Sequence, residues 1–148
     1  MDFGGTLVEV GLLASSSPIP PPAFHSGTTW NARLRYAVAT ARASVTGSAA
    51  STACSWNDGV VQDLEAIAQH YGATPTCGHW NDRVLASLQQ IAAAVGVADT
   101  VSGYWNDKVL RLAKLIAAAI GATPSESCYW NDAIAETFES IATDGVWP

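Results

Sequence analysis

The side chains that could hold a metal ion are few, and the densest group of them is Cys77, His79 and Asp82. A structural zinc site usually takes four ligands from closely spaced pairs, and this sequence contains no CxxC pair. Cys77 shares with Cys54 and Cys128 a place two or three residues before a tryptophan. A position that tolerates small residues therefore explains the cysteines, and we predict no metal site.

Catalytic groups are equally scarce in the sequence. Nucleophilic catalysis by a cysteine and a histidine needs a third group that orients the base, and no such group stands beside the cysteines. A glycine-rich phosphate loop and a Ser-His-Asp signature are also missing. We therefore predict a protein that is not an enzyme, with no catalytic residue and no cofactor.

A Trp-Asn pair that recurs five times is the strongest pattern in the chain. All five asparagines follow a tryptophan, and successive pairs are 26, 24, 25 and 25 residues apart. Aspartate follows the pair in the last four repeats, whereas Ala32 takes that place in the first. A fixed period of this length indicates a repeat architecture. The motif residues are Trp30 and Asn31, then Trp56, Asn57 and Asp58, then Trp80, Asn81 and Asp82, then Trp105, Asn106 and Asp107, and finally Trp130, Asn131 and Asp132.

Each repeat continues as an amphipathic helix. Apolar residues stand four, eight, eleven and fifteen positions after the tryptophan, as Val84, Leu88, Ile91 and Val95 do in the third repeat. This spacing places them on one face of a helix. The first repeat is a weaker copy of the same pattern.

Both ends of each helix carry a signal. We predict the asparagine as the N-cap, the aspartate as the first helical residue near the positive end of the helix dipole, and the tryptophan in a hydrophobic staple before the cap. At the other end, Gly72, Gly96 and Gly121 each stand sixteen residues after their tryptophan. Glycine at that place suits the left-handed residue that closes a helix.

The lengths of the helices and connectors leave two arrangements open. A helix over residues 106–120 is about 21 Å long, and the nine residues 121–129 can stretch over about 30 Å. The connector can return along the whole helix, which gives parallel helices in a solenoid, or turn back at once, which gives an antiparallel bundle. The sequence therefore predicts an all-α fold of five short amphipathic helices, packed as a compact bundle or a helical solenoid.

Composition divides the chain into three segments. Residues 1–29 contain a serine run and a proline-rich stretch, and we predict an extended N-terminal arm that docks on a neighbour. Residues 30–55 form the first, divergent repeat helix and a small, polar linker, which would make this helix partly separable. Residues 56–148 form a four-repeat helical body. Trp147 lies outside the repeat phase, and we predict it as a docking or packing plug.

The formal net charge of −6 is unevenly spread. Residues 30–48 carry Arg33, Arg35 and Arg42 without an acidic residue, whereas residues 49–148 carry a net charge of −7. The body lacks the basic footprint of a nucleic-acid-binding protein, so we expect no direct nucleic-acid contact. The three arginines could contact an acidic neighbour, such as residues 49–148 of another copy, or form a solvated face.

Neither a membrane nor a secreted location is indicated. The apolar runs are far shorter than a membrane span, and the N-terminus has no basic leader region. Three cysteines are an odd number without a disulfide framework, which favours a reducing compartment. We therefore expect a soluble protein with no membrane contact.

Trp-Asn-Asp, followed by an Ala- and Leu-rich helix and then Gly-Ala-Thr-Pro, is similar to the short helical repeats of virion-associated proteins of tailed bacteriophages. The likeness covers residues 30–144 and brings no site residues with it. It implies a structural part of the virion, at the head, neck or tail, that is assembled in the host cytoplasm. The function expected is then that of a non-enzymatic structural or assembly protein, whose partners are copies of itself and other virion proteins.

An alternative function remains open at this stage. Tryptophans aligned along one edge, beside Asn and Asp, would suit recognition of a glycan or a peptide. The sequence does not decide whether the indoles are buried or form such an edge.

Overall fold

The computed structural model describes residues 28–98 and 102–148, and in these ranges the fold is all-α. The predicted fold class is therefore confirmed. Of the predicted arm, all but Thr28 and Thr29 lies outside the described residues. No helix in the described ranges is both long enough and apolar enough to cross a membrane. The five helices each begin with a repeat tryptophan: α1 (Trp30–Thr46), α2 (Trp56–His70), α3 (Trp80–Ala94), α4 (Trp105–Ala119) and α5 (Trp130–Asp144).

Glycine closes α2, α3 and α4, as the sequence predicts. Gly72, Gly96 and Gly121 adopt left-handed φ angles of 90°, 86° and 84°. The residue after each glycine donates its N–H to a carbonyl five residues earlier, as Ala122 does to Ala117 at 2.8 Å. This bond satisfies a carbonyl that the helix leaves free, and glycine allows it because it has no Cβ.

The starts of the helices differ from the prediction. Tryptophan is the first helical residue, the residue before it is the N-cap, and none of the five N-cap side chains makes a capping hydrogen bond. Asparagine lies inside the first turn, where the Oδ1 of Asn106 accepts the N–H of Asp107 at 3.1 Å. The placement of asparagine at the N-cap and of tryptophan before the helix was therefore wrong. The physical reason is that the indole packs against the apolar core, which draws its residue into the helix.

The five helices form a closed ring in which all run in the same direction. Each helix packs on the next one along the chain, and α1 packs on α5 to close the ring. The first residues of all five helices meet at one end, where the ring centroids of neighbouring tryptophans are 5.2 to 6.2 Å apart. Across the closure, the centroids of Trp30 and Trp130 are 5.7 Å apart. The helices are thus parallel; we name the two ends the Trp end and the tail end, and the α1–α5 contact the seam.

The connector before α5 returns along the outside of the ring. Before α5, Thr123 donates its N–H to Ser140 Oγ at 2.8 Å, and Ser125 donates its N–H to Thr137 Oγ1 at 3.1 Å. Ser140 and Thr137 lie in the middle of α5, so the connector runs back beside the helix that it precedes. This path is what a parallel arrangement of consecutive helices requires.

The predicted apolar stripes form the core. Residues at the same distance from the tryptophan in each helix form a layer around the ring axis. In the layer eight residues after the tryptophan, the large side chain of Phe138 stands in α5 and the small one of Ala113 in the adjacent α4, so their volumes compensate. The layer four residues after the tryptophan is buried throughout: Leu34, Val60, Val84, Val109 and Ile134.

Helix α1 is an integral part of the ring. It packs on both α2 and α5, and these two contacts are the most extensive between helices. The predicted boundary between residues 30–55 and 56–148 therefore does not divide the packing. Without α1, the edges of α2 and α5 would expose their apolar sides, so the first repeat completes the core rather than standing apart from it.

Candidate functional site

The tryptophans at the Trp end hold neighbouring repeats together. Trp105 donates its Nε1–H to the carbonyl of Asn81 at 2.6 Å, and Trp130 donates to the carbonyl of Asn106 at 2.7 Å. The third repeat makes the same bond to the second. All five indoles are half-buried and lie edge-to-face or tilted against both neighbours. The N–H groups of Trp80, Trp105 and Trp130 and much of the ring surface of all five indoles are thus used within the fold.

The asparagines and aspartates of the motif form a polar rim around the tryptophans. The rim gathers hydrogen-bonding groups from every repeat at one end of the ring, next to the positive ends of the five helix dipoles. Three positions are half-buried, namely Asn31, Asn57 and Asp132, and the others are exposed, namely Asp58, Asn81, Asp82, Asn106, Asp107 and Asn131.

Two exposed tyrosines belong to the same end. Tyr104 and Tyr129 are the N-cap residues of α4 and α5, and they are 81% and 75% exposed. Neither residue is among the site residues predicted from the sequence. The signal that could have found them is a large aromatic residue directly before the tryptophan in two consecutive repeats.

At the tail end, the last residues of the chain cross the ring. The N–H of Val146 donates to the carbonyl of Ile120, at the end of α4, at 2.8 Å. Trp147 packs against the core and stacks on Tyr71, at the end of α2, with centroids 6.3 Å apart. Trp147 is therefore a packing plug, one of its two predicted roles. Val146 itself stays 77% exposed.

A small cavity lies on the ring axis below the tryptophans. It measures about 20 Å³ and is lined by the five indoles and by apolar residues four and eight positions after them. Pockets that bind small molecules usually measure about 300–1,000 Å³. A space of this size with an apolar lining is a packing gap, too small for such a molecule.

One carboxylate is buried in the side of the ring. Asp63 Oδ1 accepts hydrogen bonds from the Ser51 N–H at 2.8 Å and from Arg42 Nη1 at 3.0 Å, while Oδ2 is buried without a partner. Burial raises the pKa of Asp63, and the bonds from Ser51 and Arg42 oppose that rise. These bonds join the 48–55 connector and α1 to α2, so the group has a structural use.

The arginines of the first repeat contact groups of their own chain. Arg33 forms two hydrogen bonds with Glu139 across the seam, at 2.6 and 3.0 Å. Arg42 pairs with Asp63, and Arg35 donates to the Ala53 carbonyl at 2.6 Å. The three arginines are therefore not a merely solvated face, because folding brings partners from the same chain beside α1, and a contact with another copy stays a prediction.

The seam repeats the geometry of an ordinary helix pair. Arg33 and Glu139 stand three and nine residues after their tryptophans, and so do Arg83 and Glu65, which pair between α3 and α2 at 2.6 Å. The side-chain hydrogen bonds with Glu139 and with Glu65 raise the pKa of Arg33 and of Arg83. The ring thus closes in the same register as its successive helices.

The cysteines and histidine considered for metal binding lie at the surface. Cys54, Cys77 and Cys128 are free and exposed, as is His79. Among the described residues, no three possible ligands come together. The exposed large apolar side chains of the described residues lie instead at the two ends of the ring.

Comparison of the chain with protein-family models, with curated proteins and with solved structures finds no match.

Proposed function

We propose that this chain is a non-enzymatic structural protein whose copies stack end to end along the ring axis and so form part of a larger particle. One observation carries the proposal. In the described residues, the exposed large apolar side chains are Tyr104, Tyr129 and Val146, and all three stand at the ends of the ring. Exposed apolar patches of this kind mark surfaces for association.

The Trp end offers the chemistry of a protein interface. Tyr104 and Tyr129 come from adjacent helices, and tyrosine is enriched at interfaces because its ring is apolar and its hydroxyl can form a hydrogen bond. The Asn and Asp rim supplies hydrogen-bond acceptors and donors at the same end. An apolar centre with a polar rim is the usual anatomy of a contact between proteins.

The tail end offers an apolar counterpart. Exposed Val146 lies beside half-buried Trp147 and Tyr71. The tyrosines of one copy can pack on this patch of the next copy. The two surfaces differ, so the contact is head-to-tail, and such a contact continues from copy to copy instead of stopping at a dimer.

Charge and helix direction favour this polarity. The first turns of four helices place Asp58, Asp82, Asp107 and Asp132 at the Trp end, so two Trp ends brought together would repel. In a head-to-tail stack, the dipoles of the parallel helices follow one another in the same direction. Like-to-like dimers are therefore the less favourable arrangement.

A virion component is the particle that we propose, on the resemblance to bacteriophage helical repeats. A self-stacking ring suits the head, neck or tail, where many contacts between copies build the particle. The alternative, a module that binds glycans through its tryptophans, is less well supported. The indole N–H groups of Trp80, Trp105 and Trp130 already donate to backbone carbonyls.

Light scattering on the full chain tests the stacking. We expect the mass to rise above the 15.4 kDa monomer as the concentration increases. The double variant Tyr104→Ser/Tyr129→Ser and the single variant Val146→Asp should each remain monomeric. Mixed together, they should form a dimer, because each variant keeps the end that the other lacks. As a matched control, Arg111→Ser changes an exposed residue on the side of the ring and should stack like the parent chain.

Two results would overturn the proposal. One is a monomer at every concentration, and the other is an association that survives unchanged in both end variants. The second result would place the contact on the side of the ring.

A further inference from the structure

A groove runs along the outside of the seam. Its volume is about 390 Å³. One wall is α1 and the other is α5, and the Arg33–Glu139 pair lies within it. The remaining lining side chains are small or polar apart from one tyrosine: Tyr36, Ala37 and Thr40 from α1, and Ala142 and Thr143 from α5.

The same groove exists between α2 and α3, but there it is filled. Helix α5 lines the seam groove with the residues that stand nine, twelve and thirteen positions after its tryptophan. Helix α1 lines it with, among others, the residues seven and ten positions after its own tryptophan. The α2–α3 groove uses the same positions: Glu65, Ala68, Gln69, Ser87 and Gln90. Connector residues 74–76 also line it, and the volume left over is about 0 Å³.

The reason for the difference is the order of the chain. A connector joins consecutive helices and lies against the helix that it precedes. Helices α1 and α5 are the first and the last in the sequence, so no connector joins them across the seam. In the sequence, the segment that leads into α1 holds the place that a connector holds before each of the other helices.

The N-cap residue of α1 has the same backbone conformation as the N-caps that follow the connectors. Thr29, the N-cap of α1, has φ −76° and ψ 149°. The N-caps of the other helices are extended as well, for example Tyr104 with φ −73° and ψ 160°. The last residue before α1 thus has the backbone conformation from which the connectors enter the other helices.

We propose that residues 20–27 dock in the seam groove as the fifth connector of the ring. With Thr28 and Thr29 it makes ten residues before α1, close to the nine residues of the connector 71–79 before α3. This inference does not depend on the stacking of copies. It concerns only part of the predicted arm, and the occupant that it names is the chain's own segment instead of a neighbour's.

The register of the docking follows from α5. Thr123 stands seven residues before Trp130, and its N–H bonds to Ser140 Oγ, ten residues after that tryptophan. In the first repeat the same positions hold Ala23 and Thr40. Thr40 Oγ1 donates its own proton to the Tyr36 carbonyl at 2.9 Å, so its oxygen can accept the N–H of Ala23.

Tethering selects the chain's own segment. Residues 20–27 are joined to α1 through two residues, so their effective concentration at the groove is in the millimolar range, as for short linkers. A segment from another copy would have to compete against this concentration. Own-chain docking is therefore the favoured state at ordinary protein concentrations.

Hydrogen exchange on the full chain tests the proposal. We expect the amide of Ala23 to exchange at least about tenfold more slowly than in an unstructured peptide, and equally at high and low protein concentration. Thr143→Arg, which fills the groove with a charged side chain, and Thr40→Val, which removes the acceptor, should each abolish this protection. Ala119→Arg is the matched control, because Ala119 is exposed at the end of α4 and lies outside the groove; it should leave the protection intact.

Protection of the α5 amides serves as the check that each variant is folded. Exchange of Ala23 at the unstructured rate in the parent chain would overturn the proposal. So would protection that persists in both groove variants. Protection that falls on dilution would also overturn it, because the occupant would then be the segment of a neighbouring copy.

Discussion

Replacement of Asp63 is the most direct test of how the ring is held together. Its carboxylate is fully buried, whereas the side chain of its partner Arg42 is 22% exposed. Asp63→Ala leaves the buried Ser51 N–H without an acceptor and the Arg42 guanidinium without a counter-charge. Removal of one partner from a buried ion pair costs about 3–5 kcal/mol. Because Arg42 can reach solvent, we expect a loss of about 3 kcal/mol in the free energy of unfolding.

The neutral replacement Asp63→Asn separates the hydrogen bonds from the charge. The amide oxygen can still accept from Ser51 and Arg42, so we expect a loss of only about 1 kcal/mol. Thr137→Val is the matched control. Thr137 occupies the same repeat position in α5 and accepts the Ser125 N–H without any charge. Thr137→Val should therefore also lower the free energy of unfolding by about 1 kcal/mol. Urea unfolding of the three variants at pH 7 gives these differences.

The contribution of Asp63 to stability should fall as the pH rises. The pKa of Asp63 is raised in the folded state above its ordinary value of 3.8, so the folded chain binds this proton more tightly than the unfolded chain. The contribution of Asp63 to stability is therefore greatest below pH 3.8, and it falls as the pH rises through the folded pKa. The free energy of unfolding of the parent chain minus that of Asp63→Asn should decline over this pH range. The same difference between the parent chain and Thr137→Val should stay constant.

Two results would refute this reasoning about Asp63. The first is a loss below about 1 kcal/mol for Asp63→Ala, which would mean that water replaces the carboxylate without cost. The second is a gap between the parent chain and Asp63→Asn that widens as the pH rises. In that case the pair with Arg42 would outweigh the cost of burial.

Three further experiments probe the core, the tail and the seam. Phe138→Ala should lower the free energy of unfolding by about 3–5 kcal/mol, as measured with urea. Adding Ala113→Leu should restore part of this loss, because the two residues share one layer. No recovery would mean that the two side chains occupy separate spaces. Gly145→Ala should lower the melting temperature, because a Cβ would lie 2.6 Å from a backbone carbonyl oxygen, and an unchanged melting temperature would show that the tail yields easily. A double-mutant cycle on Arg33→Ala and Glu139→Ala should give a coupling of about 0.5–1 kcal/mol, since both side chains are partly exposed; zero coupling would mean that packing alone closes the seam.

Local patterns predicted the elements of this fold but placed their starts incorrectly. The apolar spacing and the glycines at 72, 96 and 121 define helices because they depend on the geometry of one helix and its last turn. The first helical residue depends on whether the indole packs inside or outside the helix, and that choice is made by the neighbouring repeats. Asparagine satisfies an amide of the first turn in either case, so its presence alone could not fix the boundary.

The candidate sites were less accessible to sequence reasoning than the fold. Tyr104 and Tyr129 are ordinary residues before a helix until the ring places them together on one end surface. Val146 gains its exposure only because the tail crosses the ring beside Ile120. The seam groove is defined by two helices that are the first and the last in the chain, so no short-range pattern marks it.

The sequence by itself determined five amphipathic helices with a common apolar face, and connectors long enough to return along each helix. It allowed parallel and antiparallel packing equally, because the same connector can stretch or turn back. The tertiary structure decided that the helices are parallel and that the ring closes, with Arg33 meeting Glu139 in the register of Arg83 and Glu65. Closure is a property of all five interfaces together: each contributes part of one full turn about the axis, and no single repeat contains that sum.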